Sequence, residues 1–267
     1  MDWWLTVVET LRELTAQRPG KIRALSVDGT SSTLLLSDSK GLPLGPALMY
    51  DDRRAHEQAT LISRFAPADS PARGPGSALA KLLYLKNRTG GTVAAHALHQ
   101  ADWINGRLTG KFGLADENNV LKLGYDPVNR CWPEWMSRLP LSTQLLPVVH
   151  PVGTRLGIIS TDIARQLGLP HDVVVIAGTT DSNAATLAAG AAAPGDAVTS
   201  LGSTLVLKLF SETPLMHSKY GIYSHRIGDD WLAGGASNSG GAVLKKFFSG
   251  TEIAQLSLQL DPGKPLD

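Results

Sequence analysis

One carboxylate stands where chemistry is expected. Asp181 lies in Ile-Ala-Gly-Thr-Thr-Asp-Ser-Asn-Ala-Ala, residues 176–185. The β-branched run Val173-Val174-Val175 precedes it and reads as a buried strand. The alanine-rich run 184–193 follows and reads as the first turns of a helix. Asp181 therefore sits where a strand gives way to a helix, the place where open α/β sheets gather ligands and catalytic groups. An aspartate there also suits the first turn of a helix as cap or dipole partner. The small residues Gly178-Thr179-Thr180 leave room for a substrate beside it.

Polar glycine turns recur at the ends of strands: residues 28–32, 178–182, 202–204 and 234–241. Backbone N–H groups in such turns suit phosphate or sugar oxygens. None matches a P-loop or a dinucleotide fingerprint. Singly each reads as a connection; together, around one carboxylate, they point to a nucleotide or sugar site. Asp51-Asp52-Arg53-Arg54 reads either as a substrate clamp or as a solvated helix start with local ion pairs. The histidines show no metal-like spacing, so no metal ligand is assigned. Trp103 reads as a core residue or as the floor of a sugar pocket. No nucleophile elbow is present.

The elements that must position these groups follow from the patterning. Apolar residues at helical spacing mark 3–17, with Pro19-Gly20 to end the helix. Strands are expected at 22–28, 33–38 and 47–50, the last running into the Asp-Asp-Arg-Arg cluster. Helices are expected at 55–66, 79–86 and 96–105, with a Pro/Gly/Ser-rich loop at 67–76. Residues 109–131 read as irregular, 131–139 as helical, and 145–149 as a connector because Pro147 interrupts it. A helix at 161–169 precedes the strand 173–176. Two hairpins, 197–201 with 205–210 and 220–226 with 230–233, lead to the glycine-rich turn. Helices at 242–248 and 251–260 complete the pattern.

The chain has 267 residues, 43% hydrophobic and 18% charged, with net charge +1. That balance favours neither nucleic acid nor an anionic membrane as partner. Lone Cys131 excludes an intrachain disulfide and suits a reducing cytosol. No apolar run is long enough to span a membrane, and the N-terminus lacks the pattern of a signal peptide. A cytoplasmic protein is expected, or a plastid one in a plant.

The motif wording resembles the FGGY carbohydrate kinases. The matching stretches are Ala24–Leu36, with Asp-Gly-Thr-Ser-Ser-Thr; 50–55, Tyr-Asp-Asp-Arg-Arg-Ala; 121–126, Leu-Lys-Leu-Gly-Tyr-Asp; 177–182, Ala-Gly-Thr-Thr-Asp-Ser; 200–204, Ser-Leu-Gly-Ser-Thr; and 234–244, Gly-Gly-Ala-Ser-Asn-Ser-Gly-Gly-Ala-Val-Leu. They stand in the family's order and look most like its cyanobacterial and plant ribulokinase/xylulokinase-like branch. The resemblance implies an α/β, actin-like (RNase H-like) fold of two domains with a cleft between them. It implies a kinase that moves the γ-phosphate of ATP, with Mg²⁺, to a sugar hydroxyl, with a pentulose such as D-ribulose or D-xylulose as acceptor. By resemblance Asp181 is the general base. Ser31, Ser32, Asp52 and Ser182 face the sugar, and Gly202, Ser203 and Thr204 form a phosphate-binding turn.

The family opens on an earlier phosphate-binding strand and turn, and its second domain runs further. Residues 1–205 thus correspond to a sugar-binding domain without its first strands, and 206–267 to the beginning of an ATP-binding domain. Two readings follow: a kinase sequence truncated at both ends, or a catalytically silent module that binds a sugar or a partner chain. Loss of a central strand is expected to leave an unpaired sheet edge and exposed apolar surface. A third reading, an unrelated actin-like ATPase, fits the glycine turns but not the motif wording.

Overall fold

The computed structural model describes residues 2–17, 20–89, 94–237, 239–260 and 263. Pro19, expected to end the first helix, and Asn238 of the glycine-rich turn lie outside the described residues.

In chain order the elements are α1 (Asp2–Gln17), β1 (Ala24–Ser26), β2 (Leu34–Ser37), α2 (His56–Ser63), α3 (Ala78–Lys86), β3 (His96–His99), α4 (Gln100–Thr109), β4 (Leu114–Asp116), β5 (Val148–His150), β6 (Arg155–Ile158), α5 (Thr161–Leu167), β7 (Val174–Ile176), α6 (Asp181–Ala188), β8 (Ala197–Leu201), β9 (Leu205–Ser211), β10 (Tyr223–Ile227), β11 (Asp230–Ser237) and α7 (Gly250–Ser257). Short 3₁₀ turns occupy Asn119–Leu123, Glu134–Arg138 and Gly241–Lys246, where longer helical or irregular segments were expected.

The leucine run of β2 is buried throughout because it lies between two cores. Leu34 and Leu36 pack into one, with α2 and α3; Leu35 points into the other, with α1, α4 and α5. Strand alternation places them so. β3 pairs antiparallel with β2, Leu98 opposite Leu35 and Ala97 opposite Leu36. This overturns the helix expected at 96–105. The helix starts only after His99, where Asp102 accepts the His99 backbone N–H and its ring Nδ1 at 2.9 Å, closing a capping box. Trp103 belongs to the second core. It is 3% exposed, donates its indole N–H to Gly41 O at 2.8 Å and packs edge-on against Trp3. The sugar-floor reading therefore falls away.

Residues 47–50 form no strand: Leu48 exchanges both backbone bonds with Leu34 and the pairing stops there. Pro46, lacking an N–H, cannot extend it. The expected connector 145–149 becomes β5 just beyond Pro147, parallel to β4, since a proline ahead of a strand costs no ladder bond. β6, unread in the sequence, flanks β7 antiparallel. β1 pairs parallel with the other edge of β7.

A separate antiparallel sheet runs β10-β11-β9-β8. The expected division between residues 205 and 206 falls inside its β8–β9 hairpin. Gly234 and Gly235 lie in β11 rather than in a turn. The reason is room: a Cβ on Gly234 would come within 2.7 Å of the Lys208 side chain, which lies across it. β9 accordingly turns Lys208 and Phe210 inward and leaves Leu207 and Leu209 exposed. An apolar groove of about 480 Å³ follows on that outer face, lined by Leu207, Leu209, Leu215 and Tyr220.

Candidate active site

The pairing of β1 with β7 continues beyond both strands and zips their turns together. Gly29 N–H donates to Thr179 O at 3.3 Å, and Asp181 N–H donates to Gly29 O at 3.0 Å. Thr179 N–H donates to Asp28 Oδ1 at 3.1 Å, across 151 residues of chain. Gly178 permits this approach, since a Cβ there would lie 2.3 Å from Val27 O. The 28–32 and 178–182 turns are therefore one structure at the C-terminal ends of adjacent parallel strands, where the topology gathers ligands.

Asp181 is the first residue of α6 and its side chain is exposed. Ser182 N–H donates to Asp181 Oδ1 at 2.7 Å, and Ser182 is exposed beside it. Partial burial raises the Asp28 carboxyl above its ordinary range; the Thr179 N–H opposes this and the Asp181 charge adds to it. The Asp181 charge is thus felt both by the Asp28 carboxyl and by the Lys208 ammonium.

Ser31 is half-buried and Ser32 buried in the same turn. Thr30 anchors it through Thr33 Oγ1, at 2.6 Å, and Gln100 Oε1. Asp52 is held differently. Arg54 donates its backbone N–H and Nε to Asp52 Oδ1, both at 3.0 Å, and its Nη2 lies 2.8 Å from Oδ2. Burial pulls the Asp52 carboxyl up, but these Arg54 contacts outweigh it and hold it below the usual range. The local ion pair of the two sequence readings is present.

Several residues of the site escaped the sequence reading. Asn118 Nδ2 donates to Thr179 Oγ1 at 2.9 Å, and its amide also exchanges both bonds with the Arg226 backbone. Asn119 Nδ2 donates to Thr179 O and to Asp116 Oδ2. Asn183 Nδ2 reaches Thr179 Oγ1, and Lys208 Nζ donates to Asn183 Oδ1 at 2.8 Å. These bonds tie the β10-β11-β9-β8 sheet to the Asp181 turn. Burial pushes the Lys208 ammonium down to about 8, Lys122 pushing the same way and Asp181 opposing. His225 is pressed well below its ordinary range by burial and by Lys208 and Lys122. Lone charges inside apolar runs were the available signal: Lys208 in Leu-Val-Leu-Lys-Leu-Phe and Lys81 in Ala-Leu-Ala-Lys-Leu-Leu.

Gly202, Ser203 and Thr204 form an exposed turn between β8 and β9. Gly241 N–H donates to Gly202 O at 2.7 Å, and Gly240 lies against Thr204 so closely that a Cβ would meet its carbonyl carbon at 2.3 Å. Among the described residues, the Ser203 and Thr204 N–H groups donate to no protein acceptor and no hydrogen bond joins this turn to Asp181. Its link to the site is Lys208 on the same hairpin. No group of three or more metal-ligating side chains occurs among the described residues, and no helix among them is long and apolar enough to cross a membrane.

Asp116, beneath Asn118 and Asn119, makes the site's support sensitive to pH. Burial pushes its carboxyl from 3.8 up to about 7; the nearby Asp102 charge adds to this, and the Asn119 hydrogen bonds oppose it. The folded chain keeps a proton there that the unfolded chain has released. This group's stabilisation is therefore full below pH 3.8 and is lost as pH rises towards 7. Urea midpoints should show that slope, and Asp116→Asn should remove it.

The model of the FGGY family of carbohydrate kinases, N-terminal domain, matches residues 1–188. The xylulose kinase of Escherichia coli (strain K12) is 24% identical over 240 residues, 86% of this chain and 49% of that protein. The xylulose kinase of Streptomyces coelicolor is 31% identical over 219 residues, 76% of this chain and 44% of that protein. The crystal structure of gluconate kinase from Lactobacillus acidophilus superposes with TM-score 0.82 at 20% identity, covering 96% of this chain and 56% of that one. The α/β fold is thus the actin-like (RNase H-like) one, and the chain spans about half the length of the curated relatives it matches.

Proposed function

Because this chain belongs to the FGGY family of carbohydrate kinases, we propose that it carries the sugar-binding and proton-accepting part of an ATP-dependent sugar kinase whose acceptor is a pentulose, D-ribulose or D-xylulose. One observation carries the reading: the Gly29–Thr179 and Asp181–Gly29 backbone bonds, which set an exposed carboxylate beside the serine turn. Phosphoryl transfer asks for positioning and charge stabilisation more than for covalent chemistry. The Asp181 carboxylate takes the proton of the sugar hydroxyl as that oxygen attacks the γ-phosphorus of ATP and the bond to ADP breaks. Ser31 and Ser182 hold the sugar, Ser32, whose hydroxyl is buried, shapes the turn rather than touching the sugar as expected, and Asp52 meets it as the ion pair with Arg54.

The Gly202-Ser203-Thr204 turn suits phosphate oxygens through its two hydroxyls and the two N–H groups that find no acceptor among the described residues. Mg²⁺ with ATP takes one or two protein carboxylates. Asp28, which accepts the Thr179 N–H beside the Asp181 turn, would be one such carboxylate, and the ion would neutralise charge on the phosphoryl oxygens. Residues 1–205 are proposed as the sugar-binding domain and 206–267 as the start of the ATP-binding one, with the β8–β9 pairing bridging the two.

The test is a thermal-shift titration of the chain with D-ribulose, D-xylulose and gluconate. A bound pentulose at one hundred times its Kd should stabilise the fold by about 2.7 kcal/mol. Stabilisation by gluconate alone would overturn the acceptor class.

A further inference from the structure

Lys81 is wholly buried on α3, yet among the described residues no ion pair joins it to a carboxylate. Its Nζ lies 2.9 Å from Ser32 O, 2.7 Å from Met49 O and 3.3 Å from Tyr50 O. An ammonium has three N–H groups, so the three carbonyls satisfy it. Those carbonyls belong to two separate strips of chain. One is the serine turn; the other leads directly into Asp51-Asp52.

The serine turn needs holding. Ser32 has φ 68, a left-handed conformation that costs a non-glycine residue on the order of 1 kcal/mol. Its Oγ is buried and without a partner. Such backbone persists only where its surroundings over-determine it. Packing alone gives no reason for a charge at residue 81, because an unbranched apolar side chain would fill α3 without desolvating an ammonium. Burial pushes the Lys81 ammonium down to about 8, with Asp52 and Asp51 holding it up and Lys122 lowering it, so it still carries its proton at pH 7.

We infer that Lys81 is a positioning residue for the acceptor sugar, its ammonium clamping the Ser31–Ser32 turn to the Tyr50–Asp52 strip so that both face the substrate as one rigid unit. The inference rests on the sugar-kinase reading above.

The experiment compares the chain with its Lys81→Met variant, first checking the fold by circular dichroism. Calorimetric titration with D-ribulose and D-xylulose should show at least a tenfold loss of affinity. Amide hydrogen exchange should quicken in residues 30–34 and 49–52 together, while 174–188 keeps its protection. Parental affinity with both strips still protected overturns the proposal. If the unsubstituted chain binds neither pentulose, the sugar reading fails, while coupled loosening of the two strips still upholds the clamp. Should the variant not fold, the unsubstituted chain is labelled uniformly with ¹⁵N. Saturating pentulose should then move the Lys81 Nζ resonance along with the Ser31 and Asp52 amides; sugar binding that leaves Lys81 Nζ unmoved overturns the inference.

Discussion

Asp181→Asn is expected to lower kcat for ATP-dependent pentulose phosphorylation by about 10²–10⁴-fold, the usual contribution of a positioned general base. The reason is local. Asparagine keeps the shape of the side chain and the acceptor for Ser182 N–H, but it cannot take up a proton. If Asp181 served only the α6 dipole, its charge would be worth about 0.3–1 kcal/mol of stability and nothing in rate. The two roles therefore separate cleanly. Steady-state assays on the protein that carries this sequence read the rate, and a thermal melt reads the fold. A loss of kcat with the melt nearly unchanged identifies the base. Unchanged kcat removes Asp181 from the chemistry and leaves it a helix-end charge.

Gly178→Ala should do more damage than any surface change near it. The added Cβ would meet Val27 O at 2.3 Å, Val27 C at 2.8 Å and Asp28 Oδ1 at 3.0 Å. Two of those atoms are backbone in the strand end that pairs with β7, so no rotamer change relieves the clash. The turns must separate, and the Gly29–Thr179 and Asp181–Gly29 bonds weaken with them. Overpacking of this kind costs about 1–3 kcal/mol, and here the upper end is expected because bonds are lost as well. The urea midpoint should fall with the m-value unchanged, and pentulose binding should vanish with it. Gly45→Ala is the control: nothing lies within 4 Å of its added Cβ, and both readouts should stay within error. Equal behaviour of the two variants would mean that the turn pair tolerates separation.

Much of the frame was legible because it rests on local pattern. The stripe of α1 and the Val173-Val174-Val175 run before Asp181 were readable for that reason. So was α3, expected at 79–86 and found at Ala78–Lys86. What misled was short or ambiguous. His96–His99 fits helix or strand by periodicity, and only pairing with β2 decides it. β4, β5 and β6 span too few residues to show a period at all. In β9 the alternation was visible but its sense was not, because the rule that leucine turns inward fails where Lys208 reaches Asn183.

The site divides in the same way. The sequence by itself determined which residues could do the chemistry, since a strand-to-helix junction with small neighbours and a carboxylate is written within ten residues, 176–185. Only the tertiary structure decided what stands beside them: Asp28 against the Asp181 turn, Lys81 under Ser32, and the Asn118–Thr179–Asn183–Lys208 chain joining the two sheets. Local propensity acts over a few residues, whereas the Asp28–Thr179 contact, across 151 residues of chain, exists only once β1 and β7 have paired in parallel.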